Sequence, residues 1–190
     1  NAIISSDIGN NCAIGNAYPT FEQGRKYLAP GLFGPCGYGL PSIIGAKIAC
    51  PNVPVVGFSG DGAFGICMNE MTAVGRDEWP AITMVIFRNY QWGAEKRNTT
   101  LWYENNFVGT ELNRNVSYAG IAEACGVEGI VVRTRKELQT AIENSCKAQS
   151  DGVTTFIEVI LNQELGEPFR RDAMKAPEQV AGIDPADMQL

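Results

Sequence analysis

The amino-acid sequence predicts an α/β fold, with a doubly wound, mainly parallel sheet and helices on both of its faces. Five apolar runs of strand length alternate with longer segments of helical character. Parallel strands need helical crossovers, so this alternation is typical of such a sheet. The size and composition agree, because 190 residues, 45% of them hydrophobic and 19% charged, can bury one substantial core.

The predicted strands lie at residues 2–6, 53–59, 82–88, 129–133 and 154–161, and the predicted helices at 11–17, 39–50, 63–75, 117–125 and 135–149. Together they make one predicted domain, residues 1–165. Residues 166–190 are more polar and contain Pro168, Pro177 and Pro185, which predicts a C-terminal arm or tail. The chain begins without Met and directly in an apolar run, so we expect a fragment of a longer protein.

Composition and charge narrow the classes of partner. A formal net charge of −6 does not supply the positive surface that nucleic acids require, so we expect no nucleic-acid partner. No stretch approaches the ~20 apolar residues of a membrane helix, so we also expect no membrane partner. Six cysteines without a CxxC pair indicate free thiols in a reducing cytoplasm. Histidine is absent, which excludes histidine-based acid–base chemistry within this chain.

The sharpest motif is Gly60-Asp61-Gly62, which stands where a predicted strand ends and a helix begins. Glycines allow the backbone to approach a phosphate, and the carboxylate offers a hard oxygen ligand. Taken alone, the same three residues also suit an ordinary turn. The next predicted strand ends at Asn89, with Gln91 two residues beyond, and ligands in open parallel sheets bind outside such strand ends. A phosphate and magnesium site there is therefore one reading and a turn the other.

Residues 60–89 resemble the thiamine diphosphate motif, which opens with Gly-Asp-Gly and closes with Asn-Asn. Arg88 replaces the first of those two asparagines, and Asn89 keeps the second. The resemblance implies that the side chains of Asp61 and Asn89 and the backbone carbonyl of Gln91 bind Mg²⁺. It also implies that the backbone of the segment Gly60, Gly62 and Ala63 lies against the cofactor diphosphate.

Two further segments extend the resemblance. Residues 31–47 are similar to the glycine-rich stretch of the acetohydroxyacid synthase and pyruvate oxidase group, which implies that the carbonyl of Gly34 accepts from the aminopyrimidine. Cys36 stands where that group has a large apolar residue that bends the cofactor, and a turn that only packs a helix is the alternative. Asn10 and Asn11 follow the first strand and match the contact to the terminal phosphate, although either could instead cap the following helix.

Residues 87–98 and 101–113 are unusual in aromatic and basic content, and they resemble sulfoacetaldehyde acetyltransferases. That resemblance implies conversion of sulfoacetaldehyde and phosphate to acetyl phosphate and sulfite, by a homodimer or homotetramer whose activating glutamate lies in another domain. The isolated domain should then be inactive. Four basic residues are predicted to recognise the anionic substrates: Arg88, Lys96, Arg97 and Arg114. Pairing with Glu95, Glu104 and Glu111 is the alternative for any one of them.

Other functions stay open at this point. An acetolactate synthase-like carboligase, or a decarboxylase of a 2-oxo acid such as sulfopyruvate, would keep the cofactor and change the substrate. A non-catalytic nucleotide- or phosphate-binding module would keep only the sheet and would show no magnesium-dependent binding of thiamine diphosphate.

Overall fold

Among the residues that the structure describes, six parallel strands form one sheet at the centre of the fold. The computed structural model describes residues 1–22 and 24–165, so the predicted arm at 166–190 lies outside the described residues. The strands are β1 (Ile3–Ser6), β2 (Tyr27–Leu28), β3 (Val55–Gly60), β4 (Thr83–Arg88), β5 (Glu128–Val132) and β6 (Thr155–Ile160). Across the sheet they lie in the order β2-β1-β3-β4-β6-β5. All five predicted strands are present, and every pair of neighbours runs parallel.

Seven α-helices accompany the sheet in the described part of the chain. They are α1 (Asn10–Ala17), α2 (Gly39–Ala49), α3 (Asp61–Cys67), α4 (Met71–Val74), α5 (Gly93–Trp102), α6 (Tyr118–Ala124) and α7 (Arg135–Ala148). Two differ from the prediction. The helix expected at 63–75 is divided into α3 and α4 by a 3₁₀ turn, Met68–Glu70, and α5 was not predicted.

Helices cover both faces of the sheet, which confirms the doubly wound fold. Strand side chains pack on one face against α2, α3, α4 and α6, with Ile43, Phe64 and Met71 fully buried. The other face packs against α7 through Leu138 and Ala141. Successive apolar side chains of β3 and β4 point to opposite faces of the sheet, so each strand contributes to both hydrophobic cores. No helix among the described residues has the length and apolar character needed to cross a membrane.

One buried side-chain amide forms hydrogen bonds with polar groups at the start of the central strands of the sheet. The side chain of Gln149 accepts from the backbone N–H of Val55 at 3.0 Å and donates to the carbonyl of Val55 at 2.9 Å and to Oγ1 of Thr83 at 2.7 Å. It also accepts from Nζ of the buried Lys47 at 3.3 Å, and Lys47 donates in addition to the carbonyl of Val53. The polar groups at the start of β3 and β4 are therefore hydrogen-bonded inside the protein, and the candidate ligand-binding groups lie at the opposite edge of the sheet.

We expect Gln149→Ala to lower the free energy of unfolding by about 2–4 kcal/mol, because it leaves the N–H and carbonyl of Val55 unpaired in the interior. Gln139→Ala is the matched control, since Gln139 lies exposed on α7 and bonds only to exposed Glu143. That control should stay within about 0.5 kcal/mol of wild type in denaturant unfolding. Equal denaturant midpoints for Gln149→Ala and Gln139→Ala would contradict this stabilising role of Gln149.

Candidate functional site

A cleft of about 590 Å³ lies at the carboxyl edge of the sheet, where β1, β3 and β4 end. The structure brings most of the predicted site residues to this cleft. Those that line it are Asn10, Asn11, Cys36, Gly60, Asp61, Gly62, Ala63, Asn89 and Gln91. Apolar side chains such as Ile14, Phe58 and Phe87 form much of the remaining wall.

The carboxylate of Asp61 is buried at this edge. Asp61 is 2% exposed, and its Oδ2 accepts from the backbone N–H of Tyr90 at 2.7 Å. Oδ1 accepts from the N–H of Gly62 at 3.1 Å. Burial raises the pKa of Asp61 to about 6, although these two N–H donors act in the opposite direction. No lysine or arginine among the described residues pairs with this carboxylate, so its charge is not compensated by a contact.

Asn89 and Gln91 bring two more polar groups to the same point. One end of the Asn89 amide lies 3.2 Å from Oδ1 of Asp61 and 3.0 Å from the carbonyl oxygen of Gln91. If the amide nitrogen of Asn89 occupies this end, it donates to both oxygens. If the amide oxygen occupies it, the oxygens of Asn89, Asp61 and Gln91 lie together at one point. Adjacent oxygens around an octahedral Mg²⁺ at about 2.1 Å lie about 3.0 Å apart, so this donor set fits Mg²⁺.

The backbone between these ligands is held in a left-handed conformation. Tyr90 has a φ of 62°, which is uncommon for a side chain of its size, and such strain persists only where the surroundings fix it. Here the Tyr90 carbonyl accepts from the N–H of Leu112 at 2.9 Å, and Trp92 donates to the carbonyl of Thr110 at 2.8 Å. The segment around Leu112 therefore supports the turn that lets Asn89 and Gln91 face Asp61.

The start of α1 differs from the sequence prediction. Gly9, not an asparagine, occupies the N-cap position, so the alternative that Asn10 or Asn11 caps the helix is wrong. Both amide hydrogen bonds of Asn11 are internal, to Oγ of Ser6 at 3.0 Å and to the carbonyl of Asp7 at 2.8 Å. Asn10 has a buried Oδ1 without a hydrogen-bond partner among the described residues. Backbone N–H groups at the start of α1 thus offer a better fit to a phosphate than the Asn11 side chain.

Asp7 is a site residue that the sequence analysis missed. It is fully buried, and its carboxylate accepts from the N–H groups of Ile8 at 2.8 Å, Gly37 at 3.1 Å and Gly39 at 2.7 Å. It therefore fastens the glycine-rich loop to the end of β1, and Gly37 has the positive φ of 84° that this loop needs. The available signal was an aspartate directly after a predicted strand.

Gly34 and Cys36 belong to the loop that Asp7 fastens. Gly34 also has a positive φ, 60°, and a Cβ there would stand 3.1 Å from Ile8, which lines the cleft. Burial raises the pKa of Cys36, with nearby Asp7 and Glu95 acting in the same direction. Its thiol therefore stays protonated at neutral pH and offers the cleft a small neutral surface.

The four basic residues do not converge on the cleft as predicted. Arg88 is 3% exposed and forms an ion pair with buried Glu158, so its guanidinium is not free for an anion and the predicted role is wrong. Lys96 pairs with Glu111, which was one of the predicted alternatives. Arg114 donates to Oε1 of Gln163 at 2.7 Å and stacks on Tyr90. Among the described contacts, Arg97 has no acidic partner, and its buried Nε has no hydrogen-bond partner.

We expect Asp7→Ala to lower the free energy of unfolding by about 2–4 kcal/mol, because the N–H groups of Ile8, Gly37 and Gly39 lose a charged acceptor. Hydrogen exchange at the amides of Gly37 and Gly39 should accelerate together with this loss. Asp77→Ala removes an exposed carboxylate and serves as the control. Unchanged exchange at both glycines would show that Asp7 does not hold the loop.

The raised pKa of Asp61 predicts a pH dependence for the cation-free protein. Its folded-state pKa of about 6 exceeds the usual 3.8, so the folded state holds a proton that the unfolded state has released between these values. As pH rises through this window, wild type should lose on the order of 1–3 kcal/mol relative to Asp61→Asn. Parallel curves for the two proteins from pH 4 to 7, measured by denaturant unfolding with a chelator, would contradict the raised pKa.

Comparison with known proteins gives sulfoacetaldehyde acetyltransferases at high identity and acetolactate synthases at lower identity, such as acetolactate synthase 1 of Nicotiana tabacum at 31% over 75% of this chain and 22% of that protein. The chain is 75% identical to a probable sulfoacetaldehyde acetyltransferase of Rhizobium meliloti over 99% of this chain and 32% of that protein. It is 74% identical to the sulfoacetaldehyde acetyltransferase of Roseovarius nubinhibens, over 99% of this chain and 31% of that protein. The chain thus spans about a third of the length of these two curated acetyltransferases.

A solved structure supports the fold. The thiamine diphosphate-dependent 4-hydroxybenzoylformate decarboxylase of Rhodococcus jostii RHA1 superposes with a TM-score of 0.76 at 24% identity, over 87% of this chain and 30% of that one. Residues 7–159 match the family described as "Thiamine pyrophosphate enzyme, C-terminal TPP binding domain", thiamine pyrophosphate being another name of thiamine diphosphate. This match runs from Asp7 to Val159 in β6 and includes every residue that lines the cleft except Ile160 and Leu161. The chain belongs to the family of C-terminal thiamine pyrophosphate-binding domains of thiamine pyrophosphate enzymes.

Proposed function

We propose that the full-length protein is a sulfoacetaldehyde acetyltransferase that converts sulfoacetaldehyde and phosphate to acetyl phosphate and sulfite. The observation that carries the proposal is the 75% identity to such an enzyme over 99% of this chain, the aromatic and basic segment 87–113 included. The activity belongs to the whole protein, because the activating glutamate is expected in another domain. A carboligase or a 2-oxo acid decarboxylase is not favoured by these relatives.

In the proposed enzyme, Asp61, Asn89 and the carbonyl of Gln91 hold Mg²⁺. The support is the fit of their spacing to octahedral coordination, together with a buried carboxylate whose charge lacks a cationic contact. A cation there would relieve the cost of burying Asp61. The same residues would thereby fix the diphosphate that shares the metal.

Backbone groups around the cleft supply the remaining contacts to the cofactor. The N–H groups at the start of α1 and of Ala63 face the diphosphate in this proposal, while the N–H of Gly62 is occupied by Asp61. Position 62 requires glycine for a different reason, since a Cβ there would stand 2.8 Å from the ring of Trp92. Gly34 and Cys36 border the aminopyrimidine side. When bound, the cofactor supplies a thiazolium carbon that serves as nucleophile and electron sink.

Fewer basic residues are available to bind the anionic substrates than the sequence analysis predicted. Arg88 drops out because it is buried and paired. Lys96 and Arg114 already have contacts to Glu111 and Gln163, so each would have to exchange a partner to bind an anion. Arg97, one helical turn beyond Gly93 of the cleft wall, is the remaining candidate for contact with the sulfonate or phosphate.

The proposed assembly is a homodimer or homotetramer in the cytoplasm. Leu32 and Phe33 on the glycine-rich loop are 107% and 91% exposed, and contiguous apolar side chains of this kind favour a subunit contact. All six cysteines are free thiols, which supports a reducing compartment.

The test measures sulfite and acetyl phosphate release by the full-length protein from sulfoacetaldehyde and phosphate, with thiamine diphosphate and Mg²⁺. We expect both products from wild type and from the exposed control Asp77→Ala, and neither product nor cofactor binding from Asp61→Ala. Acetolactate from pyruvate, or carbon dioxide from sulfopyruvate, without sulfite release would identify one of the alternative reactions. Failure of wild type to bind thiamine diphosphate with Mg²⁺ would leave only a phosphate-binding module.

A further inference from the structure

The ion pair between Arg88 and Glu158 joins the ends of two neighbouring strands beneath the candidate metal ligands. Arg88 is the last residue of β4, and Glu158 lies on β6, which pairs with β4. Their side chains are 4% and 1% exposed. A buried ion pair is weak evidence for stability, because desolvation of two charges offsets their attraction. The role of this ion pair therefore follows from the groups that its two side chains position.

Glu158 connects the pair to Asp61 through the start of α6. Its Oε2 accepts from Oγ of Ser117 at 2.9 Å and from the N–H of Ala119 at 3.0 Å. The residue between them, Tyr118, donates its hydroxyl to the backbone carbonyl of Asp61 at 3.1 Å. Glu158 therefore sets the position of a helix end that itself contacts the first candidate ligand.

Arg88 connects the pair to the second ligand, since it directly precedes Asn89. Its guanidinium lies 4.7 Å from the ring centroid of Tyr90, the residue whose N–H binds the Asp61 carboxylate. The same guanidinium donates to the carbonyls of Asn113 at 3.4 Å and Arg114 at 3.1 Å. It thus ties the turn at residues 89–91 to the segment that supports it.

We propose that Arg88 and Glu158 are positioning residues that hold Asp61 and Asn89 at a fixed separation before the cation binds. The inference rests on the metal ligands of the proposed function. It assigns to the arginine that replaces the first asparagine of the motif a role in ordering the ligands, not in contacting a substrate. Neither side chain touches the cleft; each acts through a neighbour, Tyr90 or Tyr118.

The test uses the full-length enzyme and three single variants: Glu158→Gln, Arg88→Lys and Arg76→Gln. Thiamine diphosphate binding is titrated against Mg²⁺ by equilibrium dialysis, well below the unfolding temperature, and unfolding is followed separately with a chelator present. Glu158→Gln leaves a buried guanidinium charge unpaired, and Arg88→Lys keeps the charge but loses the forked donors. Each should weaken Mg²⁺-dependent cofactor binding by about tenfold or more, the range found when support of metal ligands is removed.

The control breaks an exposed pair, Arg76 with Glu78, and should leave cofactor binding unchanged. At saturating cofactor, the KM for phosphate should match wild type in all three variants. A raised KM for phosphate with unchanged cofactor binding would show that Arg88 contacts the anion, and would overturn the inference. So would a lowered unfolding temperature with unchanged cofactor binding, which would make the pair structural only.

The inference and the proposed function can fail separately. Wild type that binds the cofactor but releases no sulfite overturns the proposed reaction, whereas unchanged cofactor affinity in the variants overturns the positioning role. If Glu158→Gln does not fold, the Arg88→Lys titration decides the question, because that variant retains the buried charge balance.

Discussion

The buried carboxylate of Asp61 is the constraint on which the cleft edge depends. A charge removed from water is tolerated only if hydrogen bonds or a cation replace the water. The N–H groups of Tyr90 and Gly62 supply part of that replacement, yet the pKa of Asp61 still rises to about 6. The turn after β4 therefore supplies the Tyr90 N–H to Asp61, and in the proposed site it also presents Asn89 and Gln91 to the cation.

The two ends of the sheet are built for different purposes. At the start of β3 and β4, the Gln149 amide satisfies backbone groups and excludes water. At the opposite end, the strands lead into loops with glycines and backbone N–H groups, and Asp7 fixes the loop between β2 and α2 by binding Gly37 and Gly39. A parallel sheet makes this division natural, because all of its strands end at the same edge.

Sequence patterns predicted the features that depend on local spacing and could not predict those that depend on distant pairing. Alternation of apolar runs was enough for five strands, and the Gly60–Gly62 motif with Asn89 was enough to locate the cleft. The two-residue β2 has too little sequence to be recognised, and α5 is mostly polar, so it has too few apolar residues to show a helical period. Glu158 lies 70 residues from Arg88, and no local pattern indicates that these charges meet. For the same reason, charge sign alone placed Arg88 wrongly among the anion-binding residues.

An arginine directly before Asn89, a metal ligand in our proposal, raises an electrostatic difficulty that the ion pair with Glu158 resolves. A lone guanidinium beside the site would repel a divalent cation, and the repulsion would be strong where water is excluded. Glu158 cancels that charge at contact distance, so the pair presents a dipole in place of a net charge. The forked donors of Arg88 can therefore hold the turn at residues 89–91, while Asp61 keeps the negative charge that would attract the proposed cation.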